Sequence, residues 1–318
     1  MGFSSQRGLR QSFPATLLPY FQALRPRQWT KNLVVFAAPL FAFSLNWQTL
    51  ADIGLAFALF CCASSSFYLI NDIADVEADR RHPVKCQRPI AAGRVSIPAA
   101  LCMAIVLLGG ALTLGWRHAP ALGIVLLSYA VLQVAYNLKL KHTPLLDIVA
   151  IAMGFVLRAC AGGAATGLTL SPWFLLCTAM LALFLGIEKR KAELRLAKGR
   201  GGKTRAVLRR YSLPLLTRME STVTTGTIMS YALWSSGPVV NGASTSWMLL
   251  TLPFVLYGVF RYQLLSDPKP ASRQLAGHES TERPEEVLLK DFPILATTIA
   301  WMATSFAILF LQHQGGLS

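Results

Sequence analysis

The sequence predicts an all-α, polytopic membrane bundle of about nine spanning helices. Three observations lead there. The 318 residues are 53% hydrophobic and 14% charged, whereas a soluble domain carries about 25% charged residues. Apolar runs recur along the chain, most of them near the roughly 20 residues that a helix needs to cross the hydrocarbon core. Lys and Arg gather between alternate runs, which is how cytoplasmic loops are marked.

The runs lie at residues 33–46, 50–70, 97–116, 121–136, 145–165, 172–187, 214–235, 246–262 and 292–312. The first is short for a span, and the fourth and sixth are borderline. Ahead of them, residues 13–24 contain Pro14 and Pro19 and no small-residue cleavage site. That stretch reads as an amphipathic segment on the membrane surface, not a signal peptide. The chain is therefore expected to be one membrane domain over 1–318. Residues 1–31 form a cytoplasmic N-terminal segment, and cytoplasmic active-site loops fall at 71–95, 137–144, 188–213 and 263–291.

With a cytoplasmic N-terminus, every Lys and Arg except Arg117 and Arg158 lies on the cytoplasmic side. The expected location is the inner (plasma) membrane, multi-pass, with the chemistry on that face. The same bias accounts for the net charge of +15, so no nucleic-acid partner is expected. Of the six cysteines, Cys61, Cys62, Cys102, Cys160 and Cys177 sit in apolar runs, Cys86 does not, and none makes a C-x-x-C pair. They read as small apolar residues, not a disulfide framework or a zinc site. Gly201-Gly202-Lys203-Thr204 lacks the preceding strand and the first glycine of a phosphate loop.

The second run leads into Asn71-Asp72-Ile73-Ala74-Asp75-Val76-Glu77-Ala78-Asp79. Residues three and four apart share a helix face, so Asp72, Asp75 and Asp79 stack while Glu77 points elsewhere. Three like charges on one face require a counter-charge. Magnesium takes oxygen ligands, commonly one or two carboxylates together with substrate phosphates. Asp72 and Asp75 are the expected Mg²⁺ ligands, with Asp79 direct or through water. Basic residues follow at Arg80, Arg81, Lys85, Arg88 and Arg94, and Pro83 bends the chain. Lys85 and Arg88 lie on the turn that folds back toward the acids and suit a phosphate-rich ligand. Arg158, inside a span, is expected to form a structural ion pair with an acid not identified. Asp147, about three turns away on the same helix, is too distant to be that acid.

Asn71-Asp72-x-x-Asp75-x-x-x-Asp79 resembles the first motif of the UbiA superfamily of intramembrane prenyltransferases. The likeness extends to Arg25-Pro26-x-Gln28-Trp29-x-Lys31-Asn32, to His82-Pro83-x-Lys85-x-x-Arg88-Pro89, and to Tyr136-Asn137-Leu138-Lys139-Leu140-Lys141 with Asp147. It continues in Gly154-Phe155-x-x-Arg158, Lys189-Arg190-x-x-Glu193 and Pro284-Glu285-x-x-Leu288-x-x-Asp291. Aromatic prenyltransferases of the superfamily carry a second Asp-rich motif after the sixth helix. Here that stretch reads Glu188-Lys189-Arg190-Lys191-Ala192-Glu193 and is mostly basic.

Within the superfamily the pattern is most similar to the decaprenyl-phosphate phosphoribosyltransferase family. That resemblance implies a Mg²⁺-dependent enzyme that moves 5-phosphoribose from phosphoribosyl diphosphate to a polyprenyl phosphate. The product, polyprenyl-phosphoryl 5-phosphoribose, would supply cell-wall arabinose. It implies catalytic and metal-binding roles for Asp72, Asp75 and Asp79. It also implies substrate contacts from Lys31, Asn71, Lys85, Arg88, Tyr136, Lys139, Lys141, Lys189, Arg190 and Glu193. Membrane lipids are further partners, and assembly with other copies of the chain is compatible with this reading. Two alternatives stand beside it. One is an aromatic or quinone prenyltransferase using a polyprenyl diphosphate. The other is a transporter of an anionic lipid or phosphate compound.

Overall fold

The structure is a computed structural model that describes residues 17–44, 46–200, 206–266 and 291–315. A short helix α1 (Leu18–Ala23) leads into a 3-10 helix, Pro26–Phe36, and then α2 (Ala37–Phe41). Next come α3 (Trp47–Ala74), α4 (Val76–Arg80), α5 (Ile97–His118), α6 (Pro120–Leu138), α7 (Leu146–Thr166) and α8 (Pro172–Arg200). The chain closes with α9 (Leu213–Ser235), α10 (Leu252–Ser266) and α11 (Phe292–His313). No strand occurs among the described residues.

Local chemistry starts these helices where the sequence offers caps. The side chains of Asn46, Ser96, Ser212 and Asp291 accept from the backbone N–H groups that open α3, α5, α9 and α11. Pro98, Pro120, Pro214 and Pro293 occupy first-turn positions, where the missing N–H costs nothing. Among the described residues, seven helices are long and apolar enough to cross a membrane. In α3 and α7, 61% and 56% of the most apolar stretch is buried, against 17% in α5, so α3 and α7 form the interior. The outer faces of α5 and α6 expose Leu101, Ile105, Val106, Ile124 and Val131, as lipid-facing surfaces do.

Two of the nine expected spans are built differently. α9 is 23 residues long but carries Thr and Ser along its length and falls outside the seven. The first run, 33–46, begins inside the 3-10 helix and ends beyond α2. A 3-10 helix rises about 2.0 Å per residue, so its 11 residues plus the 5 of α2 extend roughly 30 Å, close to the hydrocarbon thickness. This segment packs against α7 at a glycine: a Cβ on Gly162 would lie 2.1 Å from the Val35 carbonyl oxygen.

Successive helices run antiparallel. The C-terminal ends of α3, α6, α8 and α10 therefore share one end of the bundle with the N-terminal ends of α5, α7, α9 and α11. The described segments that join helices at that end include most of the stretches expected as loops at 71–95 and 137–144. The loop expected at 188–213 is shorter, because α8 continues to Arg200 and carries Lys189, Arg190 and Glu193 on a helix. Most of the loop expected at 263–291, including Pro284, Glu285 and Leu288 of its motif, lies outside the described residues, as do residues 201–205.

Candidate active site

α3 does not run straight through the acidic motif. It ends at Ala74, Asp75 breaks the helical path (φ −95°, ψ 6°), and α4 resumes at Val76. The break separates the three acids in role. Asp72 and Asp79 are both 3% exposed. Arg88 donates to both of them, from Nη1 to Asp72 Oδ1 at 3.0 Å and to Asp79 Oδ2 at 2.5 Å. Arg25 donates to the same Asp72 oxygen and lies over the Tyr68 ring, 5.1 Å from its centroid. Lys85 Nζ stands 4.0 Å from Asp79 Oδ1. Asp75 is half-buried at the break, and its carboxylate makes no side-chain bond among the described residues. Asn71 is half-buried beside it.

The arginines reach these acids because the backbone is bent to bring them there. Arg25 takes a left-handed conformation (φ 55°, ψ 60°) between α1 and the 3-10 helix. Trp29 donates to Ser65 Oγ at 3.0 Å, and Ser65 Oγ donates to the Leu24 carbonyl at 2.9 Å, which ties this corner to α3. After α4 the chain turns through Lys85–Gln87, and Arg88 then points back at the acids.

A second charged centre joins α7, α8 and the segment before α9. Arg190, 2% exposed, donates from Nε to Asp147 Oδ2 at 2.8 Å and from Nη1 to Glu193 Oε2 at 2.6 Å. Tyr211 donates to Asp147 Oδ1 at 2.7 Å and accepts from Leu145 N–H at 2.6 Å. Burial and the bond to Asp147 push the Tyr211 phenol well above the usual tyrosine range. Of the other expected ligands, Lys31, Tyr136, Lys141 and Lys189 are half-buried and Lys139 is exposed. A third cluster is interior: Lys191 bonds Glu188 at 2.7 Å and also Glu220, which accepts from Gln263 at 2.9 Å.

Two readings of the sequence change here. Arg158 has no carboxylate partner among the described residues. It donates to Asn32 Oδ1 at 2.7 Å, the Gly154 carbonyl at 2.8 Å and the Tyr129 hydroxyl at 3.1 Å, with the rings of Phe60, Tyr129 and Phe155 around it. Neutral acceptors and ring faces satisfy the guanidinium in place of the expected acid. Asp147, too distant on the same helix to serve Arg158, pairs with Arg190. The other change is Arg25, a direct partner of Asp72. Its Arg-Pro signature marked the region, but not that it bends back onto α3. Nothing in the sequence pointed to Tyr211.

A divalent ion of the magnesium type suits this donor set. Asp72, Asp75 and Asp79 offer hard carboxylate oxygens, and Asp75 has both of its oxygens available. Among the described residues, no three His, Cys, Asp or Glu side chains converge as a cage. Arg25 and Arg88 instead hold the positions of counter-charge.

The profile of the UbiA prenyltransferase family matches residues 32–277. The chain is 38% identical over 304 residues to the decaprenyl-phosphate phosphoribosyltransferase of Mycolicibacterium smegmatis, covering 92% of each chain. It is 38% identical over 288 residues to that of Corynebacterium glutamicum, covering 88% of this chain and 83% of the relative. The fold is similar to that of a UbiA homologue from Archaeoglobus fulgidus bound to GPP and Mg²⁺, with a TM-score of 0.66 at 19% identity over 91% and 99% of the two chains. Two buried acids flanking a helix break, capped by arginines at one end of a membrane bundle, thus sit in a recognised frame: the chain is a multi-pass membrane protein and belongs to the UbiA prenyltransferase family.

Proposed function

We propose that this chain transfers 5-phosphoribose from phosphoribosyl diphosphate to a polyprenyl phosphate of the decaprenyl type, at the cytoplasmic face of the plasma membrane. The observation that carries this reading is the 38% identity along 92% of both chains to a decaprenyl-phosphate phosphoribosyltransferase. The basic character of α8 at Lys189 and Arg190, where aromatic prenyltransferases are acidic, supports a donor with a phosphate beyond its diphosphate.

Asp72, Asp75 and Asp79 would hold Mg²⁺, which when bound supplies charge neutralisation for the departing diphosphate. Arg25 and Arg88 exchange the carboxylates for diphosphate oxygens as the donor enters, and Lys85 completes the anion pocket from its exposed edge. Lys139, Lys141 and Lys189 take the 5-phosphate side. Arg190, bonded to Asp147 and Glu193, shapes that side and keeps its charge near it. The bond from ribose C1 to the diphosphate oxygen breaks, and its electron pair leaves on the diphosphate. C1 gains oxocarbenium character, and an acceptor phosphate oxygen forms the new bond to it. The acceptor phosphate has a second pKa of about 6 if it behaves like a phosphoserine, so it arrives ionised and needs no general base. The acceptor's apolar chain remains in the bilayer between helices.

The test is to supply membranes bearing the protein with labelled phosphoribosyl diphosphate and polyprenyl phosphate. A labelled lipid is expected. Turnover of a polyprenyl diphosphate with an aromatic acid instead, or flux of an anion without covalent product, would overturn the reading.

A further inference from the structure

Leu145, the last residue before α7, takes a positive φ (φ 68°, ψ −47°). An L-residue rarely adopts that conformation, and it persists where surrounding contacts enforce it. The hydroxyl of Tyr211, 66 residues away in sequence, accepts the Leu145 N–H at 2.6 Å, and the Leu145 carbonyl accepts from Ile148 and Val149 N–H in the first turn of α7. The same hydroxyl donates to Asp147 Oδ1 at 2.7 Å. Asp147 is fully buried and fixed from its other oxygen by Arg190 at 2.8 Å. Tyr211 is itself packed among Ile148, Ile187, Val207, Leu208 and Leu216. The hydroxyl thus sits in a rigid frame with both of its hydrogen-bonding functions used.

Leu145 is the exit of the loop that carries Lys139 and Lys141. That loop is short and internally bonded, with His142 N–H donating to the Lys139 carbonyl and Thr143 N–H to the Leu140 carbonyl, both at 3.0 Å, while Asp147 N–H at the start of α7 donates to the Thr143 carbonyl at 3.1 Å. A change of backbone angle at Leu145 would therefore swing the loop as a unit. We propose that Tyr211 is a positioning residue that holds Leu145 at positive φ and so aims the Lys139–Lys141 loop at the anionic donor. This rests on the reading of those lysines as donor ligands given above. Tyr211 touches neither substrate nor reacting atoms in this account.

Tyr211→Phe removes both hydrogen bonds and leaves the ring packing in place. In the full-length protein, the KM for phosphoribosyl diphosphate is expected to rise about tenfold with kcat within about twofold, as loss of ground-state positioning predicts. Glycine adopts positive φ at little cost, so adding Leu145→Gly should return the KM to within roughly threefold of wild type. A purely structural role would lower the amount of folded protein without moving the KM of what remains, and Leu145→Gly would not rescue it. If wild type itself fails to use phosphoribosyl diphosphate, the functional reading is at fault. If wild type saturates normally, a Tyr211→Phe KM within about twofold of it overturns the positioning role, as does a double variant no better than the single. Should the single variant fail to accumulate, the double variant decides: a KM tenfold or more above wild type, or failure to accumulate, contradicts the proposal.

Discussion

Asp72 and Asp79, on opposite sides of the helix break at Asp75, share a single guanidinium nitrogen, Arg88 Nη1, at 3.0 and 2.5 Å. Both carboxylates are 3% exposed. Two buried acids are thus bridged by one guanidinium, with Arg25 on the same Asp72 oxygen.

Under the proposed function, Asp72 and Asp79 are ligands of the ion that neutralises the diphosphate. Asp72→Ala and Asp79→Ala are each expected to lower turnover by about 100-fold or more, in line with losses seen when one preorganised electrostatic group is deleted. Both variants should still insert in the membrane, because the apolar span of α3 is unchanged. Turnover and membrane fractionation of each variant check this.

Arg88→Ala leaves two buried carboxylates with one fewer partner. The expected cost is about 1–3 kcal/mol, below the figure for a fully buried pair because the arginine is partly exposed. Added Mg²⁺ should raise the unfolding temperature of this variant more than that of wild type, since a divalent cation can replace the missing charge. Thermal unfolding in detergent with and without Mg²⁺ measures both effects.

The carboxylate-free surroundings of Arg158 predict an asymmetry. Arg158→Met leaves only neutral groups behind, whereas Asn32→Leu strips a buried guanidinium of its 2.7 Å acceptor. Asn32→Leu should cost roughly 3 kcal/mol and Arg158→Met nearer 1 kcal/mol, because an unpaired buried charge is the more expensive remnant. Parallel unfolding curves of the two variants decide it. An equal or reversed cost would mean that an acid partners Arg158 after all.

These contacts also show what could be read from residue order. The spacing of Asp72, Asp75 and Asp79 by three and four positions was legible, because local helical geometry sets it. That Asp75 would break the helix and leave Asp72 and Asp79 to share Arg88 was not, since it depends on how the chain returns after Pro83. The apolar runs were legible as spans wherever hydropathy alone decides, as in α5, α6 and α11. The segment around Asn32 was not, because its place against α7 depends on a close approach to Gly162, far away in sequence. Asp147–Arg190 joins residues 43 apart, and Tyr211–Leu145 joins residues 66 apart. No local pattern encodes such pairs.

That close contact carries its own prediction. Gly162→Ala places a methyl group 2.1 Å from the Val35 carbonyl oxygen, so the 3-10 segment must move outward. Overpacking of this kind costs about 1–3 kcal/mol. The shift also carries Arg25 away from Asp72, so turnover should fall further than stability does. Unfolding temperature and turnover of the variant, compared at equal folded protein, test it.

Tyr211 predicts the alkaline behaviour. Its phenol is raised above the usual value of about 10, first by burial and then by its bond to Asp147. The folded state keeps the proton in a range where the unfolded state releases it. The stabilisation is therefore complete below about pH 10 and declines as pH rises toward the folded value. Above about pH 10, wild-type stability should fall with pH more steeply than that of Tyr211→Phe, and alkaline unfolding curves of the two report it.

The most direct test of the central claim is binding of phosphoribosyl diphosphate to the purified protein, followed calorimetrically with Mg²⁺ and then with a chelator. Wild type is expected to bind saturably, with binding abolished by chelation and restored by excess Mg²⁺, and Asp72→Ala to bind at least about tenfold more weakly. Binding of equal strength in the chelated wild type, or in Asp72→Ala, would contradict it.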